Sequence, residues 1–519
     1  MFFLRKTFAV AGCTLLLGFA AHAQMIDNTQ ATNTAGAGIN KSLTDEVGAG
    51  RGSVMMPGSA LYIINRDPFR SIRRGRQLFQ RKFTQAQGVG PNENDGTGDL
   101  NTDIAIGAGL SDSCSGCHGR PRGSGGAGGN VVTRPDSRDA PHLFGLGLKE
   151  MLADEMTADL RSTRDLALTQ AGQKKRPVTL RLRSKGVHFG SITGNPDGSV
   201  DTSQVVGVDS DLRIKPFMAE GSVISIREFI VGALHKEMGL EASADPDLTA
   251  ASSGARVVTP AGMALDGSKD KITPPPAPDA LNGNEIDPAL VDHLEFYLLN
   301  YFKPAHHQQN DATERGRYVF DRIGCGSCHV SDMKINHDRR VADVETRYDP
   351  VNGVFNSLFA IATPLFYTQD DGSGYPLLKR PAGNPFVVRE IYTDFKRHDL
   401  GPNFYERNWD GTLQTQFLTR PLWGVGSTGP YGHDGRSMTL GDVILRHGGE
   451  ALNSRNAFAA LPWHSQQSLI AFLDSLVLFP PDDTASNLDR ANPAKPNFPQ
   501  YGHGSIKLTV LFNDPTDVE

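Results

Sequence analysis

Two cysteine–histidine clusters stand out among the residues able to do chemistry: Cys114-Ser115-Gly116-Cys117-His118 and Cys325-Gly326-Ser327-Cys328-His329. Two thiols one turn apart can add across the vinyl groups of a single porphyrin. The adjoining histidine then lies under the iron as its proximal ligand. C-x-x-C-H is the attachment signature of c-type haem. Two covalently bound haem c groups are therefore expected, held by Cys114, Cys117, Cys325 and Cys328, with His118 and His329 on the metal. Rival chemistries explain less. A zinc ribbon sets its two C-x-x-C knuckles about 15–20 residues apart, whereas these lie in opposite halves of the chain. A thioredoxin-type dithiol fits either cluster alone and leaves the histidine after both unexplained.

The 519 residues are enough for two to four domains. Net charge is −6, with acidic and basic residues interspersed, so the chain lacks the basic face of a nucleic-acid binder. Four of the five cysteines belong to the two clusters and the fifth, Cys13, lies in the leader. None remains for a structural disulfide. Residues 1–23 read as a signal peptide: Arg5 and Lys6, an apolar run from Phe8 to Ala21, then Ala21-His22-Ala23 before Gln24. Val10-Ala11-Gly12-Cys13 is the rival lipoprotein box, but the apolar stretch before it is short. No later stretch is apolar enough to span a membrane. Export to the periplasm suits haem attachment, which takes place outside the cytoplasmic membrane.

The elements that must position these residues come in two copies. Arg74-Gly75-Arg76-Gln77-Leu78-Phe79 is echoed by Arg315-Gly316-Arg317-Tyr318-Val319-Phe320. Pro141 to Gly147 is echoed by Pro421 to Gly426, and Glu220-Gly221 with Ser225-Ile226 by Asp434-Gly435 with Thr439-Leu440. Each copy closes on a helix, with Leu290, Val291, Leu294 and Leu298 at helical spacing in one and Leu469, Phe472, Leu473 and Leu476 in the other. Asp287-Pro288 is a cap and first-turn pair. The expected fold is mainly α: two tandem cytochrome c-like haem domains, 67–303 and 312–484, with small β-hairpin insertions and long loops. A flexible arm over 24–66 precedes them and a tail over 485–519 follows. Val178 to Ile192 and Val200 onward suggest a hairpin. Residues 241–286 read as a loop or linker, and Ile506 to Phe512 as a strand.

At several further stretches the chain resembles a known group. C-S-G-C-H-G-R, R-D-A-P-H-L-F-G-L-G-L, S-I-R-E-F-I-V-G-A-L-H-K-E-M-G, Y-T-D-F-K-R-H-D-L-G, R-P-L-W-G-V-G, Y-G-H-D-G-R and H-G-G-E-A follow in consistent order from Gly75 to Leu476. Together they resemble the di-haem oxidoreductase family of the bacterial di-haem cytochrome c peroxidase superfamily, often labelled thiol oxidoreductases. The resemblance implies a sixth ligand for the C-terminal haem on the helix after H-D-G. Counted from Asp434-Gly435, that position is His447, with Met438 and His433 as alternatives and a packed, non-ligating histidine as the plainer role. It also implies a proton-handling glutamate beside the N-terminal haem, at Glu237, unless His235 ligates that iron instead. A solvent-facing helical glutamate is the plainer role there. Departures from the peroxidases are Met218 where they carry a tryptophan, and Phe229 near the place of a pocket glutamine. Trp423 is the substitute bridge, or a core aromatic. Relatives hold a cation between the domains, so a calcium ion there is part of the implied cofactor set. His398 and Asp399 match a family motif of underived role.

The resulting expectation is a periplasmic, peroxidase-like di-haem oxidoreductase. A small donor protein, a cytochrome or cupredoxin, would reduce the C-terminal haem, and hydrogen peroxide or another oxidant would react at the N-terminal one. The alternatives are a non-enzymatic electron-transfer protein and an oxidase acting on a protein or organic molecule.

Overall fold

The computed structural model describes residues 43–90, 111–118, 139–278, 284–300, 309–348, 354–355, 358–408, 411–476 and 504–505. The leader and the expected strand Ile506–Phe512 lie outside them.

Glycines show why the sequence repeats. Helix Pro68–Gln80 crosses helix Pro288–Leu299. A Cβ on Gly75 would sit 2.3 Å from the His293 carbonyl oxygen. Helix Asp311–Arg322 crosses helix Trp463–Asp474 in the same way, and a Cβ on Gly316 would sit 2.0 Å from the Ser468 carbonyl oxygen. The shared Arg-Gly-Arg thus marks a crossing too close for any side chain. The second echo has the same origin. A Cβ on Gly147 or Gly426 would meet the carbonyl oxygens of Leu299 and Asp474, at 2.1 and 2.2 Å, where the closing helices end. The third echo is a capping box: Ser225 with Glu228 starts helix Ile226–Ala233, and Thr439 with Asp442 starts helix Leu440–Arg446. Asp287 caps Pro288–Leu299 as read from the sequence.

Among the described residues three large hydrophobic cores form, with a small fourth of Ala219, Phe404 and Phe417. The first gathers Ile72, Leu78, Ile226, Leu290 and Leu294. A second lies under the long helix Leu146–Lys174, where Leu152 and Met156 meet Leu182, Phe189 and Trp423. The third surrounds Phe320, Tyr392 and Phe472, whose rings meet edge to face at 5.5–5.7 Å. Strands Val178–Ser184 and Val187–Gly194 form the expected antiparallel hairpin, with Val200–Asp201 added at its edge.

Three expectations are corrected. The arm is folded from residue 43: helix Ala60–Arg66 buries Ile63 and Ile64, and Arg51 reaches Asp247 at 2.7 Å and Asp292 at 3.2 Å. Apolar side chains and charged groups both anchor it, and apolar periodicity does not register the charged ones. Residues 241–286 are no plain linker. Asp245 caps helix Pro246–Ser252, and Arg256–Val258 pairs with Ala264–Asp266. Finally, β structure exceeds small insertions. Helix predominates, but the described residues form seven antiparallel sheets, five of them between Met333 and Leu418 or joined to that stretch. Most are two-stranded pairs too short to leave a clear alternation.

Candidate haem sites

At the second cluster, Gly324 adopts φ 90° and turns the chain from helix Asp311–Arg322 into the tight turn Cys325–Ser327. The His329 amide donates to the Cys325 carbonyl (3.0 Å), and its ring Nδ1 donates to the Tyr392 carbonyl (3.0 Å). That bond fixes the tautomer and makes Nε2 the ring's lone-pair donor. Tyr392 is presented by a strained stretch: Glu390, Tyr392 and Phe395 have φ of 55°, 53° and 57°. Burial pulls the His329 pKa down to about 4, against the hydrogen bond to Tyr392, so the ring is neutral as a metal ligand must be.

His447 follows helix Leu440–Arg446 and is oriented alike. Its Nδ1 donates to the Val443 carbonyl (2.6 Å), its ring meets Phe404 edge-on at 5.3 Å, and burial lowers its pKa. His329 and His447 line one cavity of about 320 Å³, with Cys325 and Cys328 in its wall and apolar sides from Phe320, Leu440, Ile444 and Leu473. The alternative ligands fare differently. Met438 is 74 % exposed. His433 lines the cavity but its Nε2 meets Glu406, and its ring stacks on Phe417 at 4.3 Å.

The loop after His447 is locked to the His398-Asp399 motif. Gly448 N donates to the Leu400 carbonyl (2.8 Å), and a Cβ on Gly449 would lie 2.1 Å from the Asp399 carbonyl oxygen. Glu450 takes the Asp399 amide (3.0 Å) and His398 Nδ1 (2.7 Å), while His398 Nε2 meets Asp394 (2.9 Å). Burial opposes charge on His398, but the hydrogen bond and the charge of Asp394 raise its pKa above the ordinary histidine range. His398 is therefore a charged clasp that ties the His398-Asp399 motif to the loop after His447.

At the first cluster, helix Cys114–His118 presents His118, whose Nδ1 donates to the Pro141 carbonyl (2.7 Å). Burial takes its pKa to about 4. Glu237 lies on a π-helical turn, Leu234–Met238, that continues helix Ile226–Ala233. Such turns recur at functional sites. Its carboxylate is near enough to Cys117 to help raise that thiol's pKa, after burial. His235 Nδ1 is engaged by Glu241 (2.9 Å). Residues 119–138, which follow this cluster, lie outside the described residues.

The two copies meet at His142 and Trp423. His142 Nε2 donates to the Trp423 carbonyl (3.0 Å), and a Cβ on Gly145 would lie 2.7 Å from the Trp423 ring. His142, Lys149 and Arg420 also line the cavity of the second copy.

Haem suits these residues. Each attachment cluster carries a neutral histidine oriented through Nδ1, and the larger cavity is apolar with a second such histidine in its wall. Among the described residues the one group arranged like a metal cluster is Cys328, Asp394 and His398, with donor atoms within 4.8 Å of one another. Sulfur and imidazole do not make the oxygen cage calcium takes. Reading the sequence overlooked His142, Lys149, Arg420 and Glu406. His142 was within reach, since it stands inside the repeated Pro141–Gly147 stretch; the others carry no local signature.

Residues 338–476 match the family model described as "Di-haem oxidoreductase, putative peroxidase". The matched stretch contains His398, His433 and His447, and the model describes the family that the motifs resemble. No curated protein matches the chain. Among solved structures it is similar to the hydrazine synthase of Kuenenia stuttgartiensis, at 17% identity and TM-score 0.23, over 38% of this chain and 57% of that one. It is also similar to a MauG-like protein associated with microbial copper homeostasis, at 14% identity and TM-score 0.24, over 67% of this chain and 92% of that one. At these TM-scores neither likeness carries an argument about this chain. No helix among the described residues is long and apolar enough to cross a membrane.

Proposed function

We propose that the chain is an exported, periplasmic di-haem c-type oxidoreductase of peroxidase type. Its two tandem haem domains, 67–303 and 312–484, would each hold one haem, through Cys114, Cys117 and His118 and through Cys325, Cys328 and His329. The observation that carries this reading is the shared orientation of His118, His329 and His447. Each gives Nδ1–H to a backbone carbonyl, at 2.7, 3.0 and 2.6 Å, and so keeps Nε2 for a metal. Bound haem would supply iron that exchanges electrons and, where one face is open, meets an oxidant.

The roles of the chain's own groups follow. His329 and His447, on one cavity, would both hold the iron, which suits an electron-transfer site fed by a small donor protein, a cytochrome or cupredoxin. Glu237, half-buried beside the first cluster, would move protons as hydrogen peroxide takes up two electrons and two protons to give two waters. The Pro141–His142–Trp423 seam offers the bonded route between the sites. A calcium ion between the domains belongs to the reading by resemblance alone.

The test is an EPR spectrum of the purified protein, fully ferric and then half-reduced, after haem is counted. A high-spin signal beside a low-spin one in either state is expected. Two low-spin signals in both states would overturn the peroxidase reading in favour of an electron carrier.

A further inference from the structure

Lys149 is a charge without an answer. It stands in the first turns of helix Leu146–Lys174, is only 8% exposed, and lines the cavity of the second copy. Its ammonium lies 5.2 Å from the centre of the Phe217 ring. A ring face offsets part of the cost of burying a cation, but a buried ammonium ordinarily needs an anion. Among the described residues no carboxylate forms a salt bridge with it. Glu450, which lines the same cavity, is committed to His398. Arg420, which lines the same cavity, repels it; burial first and then this repulsion bring the lysine's pKa down to about 7. Two cations from opposite copies thus converge on an apolar cavity.

We propose that Lys149 and Arg420 form a carboxylate-binding site in the cavity wall, and that a propionate of the C-terminal haem occupies it. The proposal rests on the di-haem reading above. A porphyrin held by Cys325, Cys328 and His329 brings two carboxylates into this cavity, and the first copy supplies a cation for one. The site would then make the second haem's properties depend on a residue of the first copy. A free carboxylate entering from solvent would satisfy the same pair.

The test uses the full exported protein with Lys149→Met, which keeps the buried stem, and Lys149→Arg, which restores the charge. Haem is first counted by pyridine haemochrome; absence of covalent haem would overturn the di-haem reading and this proposal with it. With two haems attached, spectroelectrochemistry reads the potentials. A unit charge lost within about 10 Å of iron, at an effective dielectric of about 20, is worth on the order of a tenfold change in the ferric-to-ferrous ratio, about 59 mV for one electron. One haem should become harder to reduce by about this much in Lys149→Met and recover in Lys149→Arg. If the potentials stay put but sodium acetate shifts the Soret band of the wild type and not of Lys149→Met, the site stands and its occupant is an external carboxylate. Two attached haems with neither response would overturn the proposal.

Discussion

Gly316→Ala should destabilise the protein although it replaces glycine by the best helix former. Gly316 lies within helix Asp311–Arg322, where it crosses helix Trp463–Asp474. The new methyl would sit 2.0 Å from the Ser468 carbonyl oxygen and 2.7 Å from Phe472 Cβ. Both obstacles belong to a backbone or to the root of a side chain, so the helices must part by roughly an ångström. Overpacking of this kind costs about 1–3 kcal/mol. Separation also opens the Phe320–Phe472 ring contact at 5.5 Å, which is worth about 0.5–1.5 kcal/mol. Against this stands a helix-propensity gain of about 1 kcal/mol. A net loss of about 1–3 kcal/mol is expected. Gly172→Ala is the control: Gly172 is also helical, but nothing lies within 4 Å of its would-be Cβ. It should gain about 0.5–1 kcal/mol. Urea unfolding of both variants, followed by circular dichroism, reads the difference, and haem count at the second site shows whether Cys325 stays in place. A Gly316→Ala protein as stable as the wild type would refute the close-crossing account of the Arg-Gly-Arg repeat.

Other outcomes can be checked on the same protein. His447→Ala should convert a low-spin EPR signal to high spin while Met438→Ala leaves it alone; the reverse would move the ligand to Met438. Glu237→Gln should cut peroxide turnover by about 10²–10⁴-fold with haem content unchanged, and an unaltered rate would remove Glu237 from proton handling. Glu150, whose carboxylate accepts from Ile226 N (2.7 Å) and Arg339 (2.5 Å), has its pKa raised from 4.5 to about 7, by burial foremost. The folded state holds this proton more tightly than the unfolded one. Its contribution is therefore complete below about pH 4.5 and is lost as pH rises through about 7. Melting temperature should fall less steeply over that window in Glu150→Gln, and parallel slopes would show the group is not titrating there.

The two C-x-x-C-H clusters and the order of elements around them were legible because both are local. Thioether attachment demands a fixed spacing, and glycine at a close helix crossing tolerates no substitute, so Gly75 and Gly316 wrote the repeat into the chain. Caps at Ser225, Asp287 and Thr439 were readable for the same reason. The folded stretch from residue 43 was not, since it docks through Arg51 and Arg66, whose partners Asp247, Asp292 and Asp371 lie about 200–300 residues away in sequence. His398 was noticed as a motif, but its clasp required Asp394 and Glu450 to arrive from two directions. Composition and spacing determined the cofactor chemistry that these residues suit and which histidines stand next to it. Only the tertiary structure decided which of His433, Met438 and His447 shares a cavity with His329 with Nε2 uncommitted, and that Lys149 of one copy enters the cavity of the other. A ligand's identity is written within a few residues, whereas a cavity is a property of chains that meet.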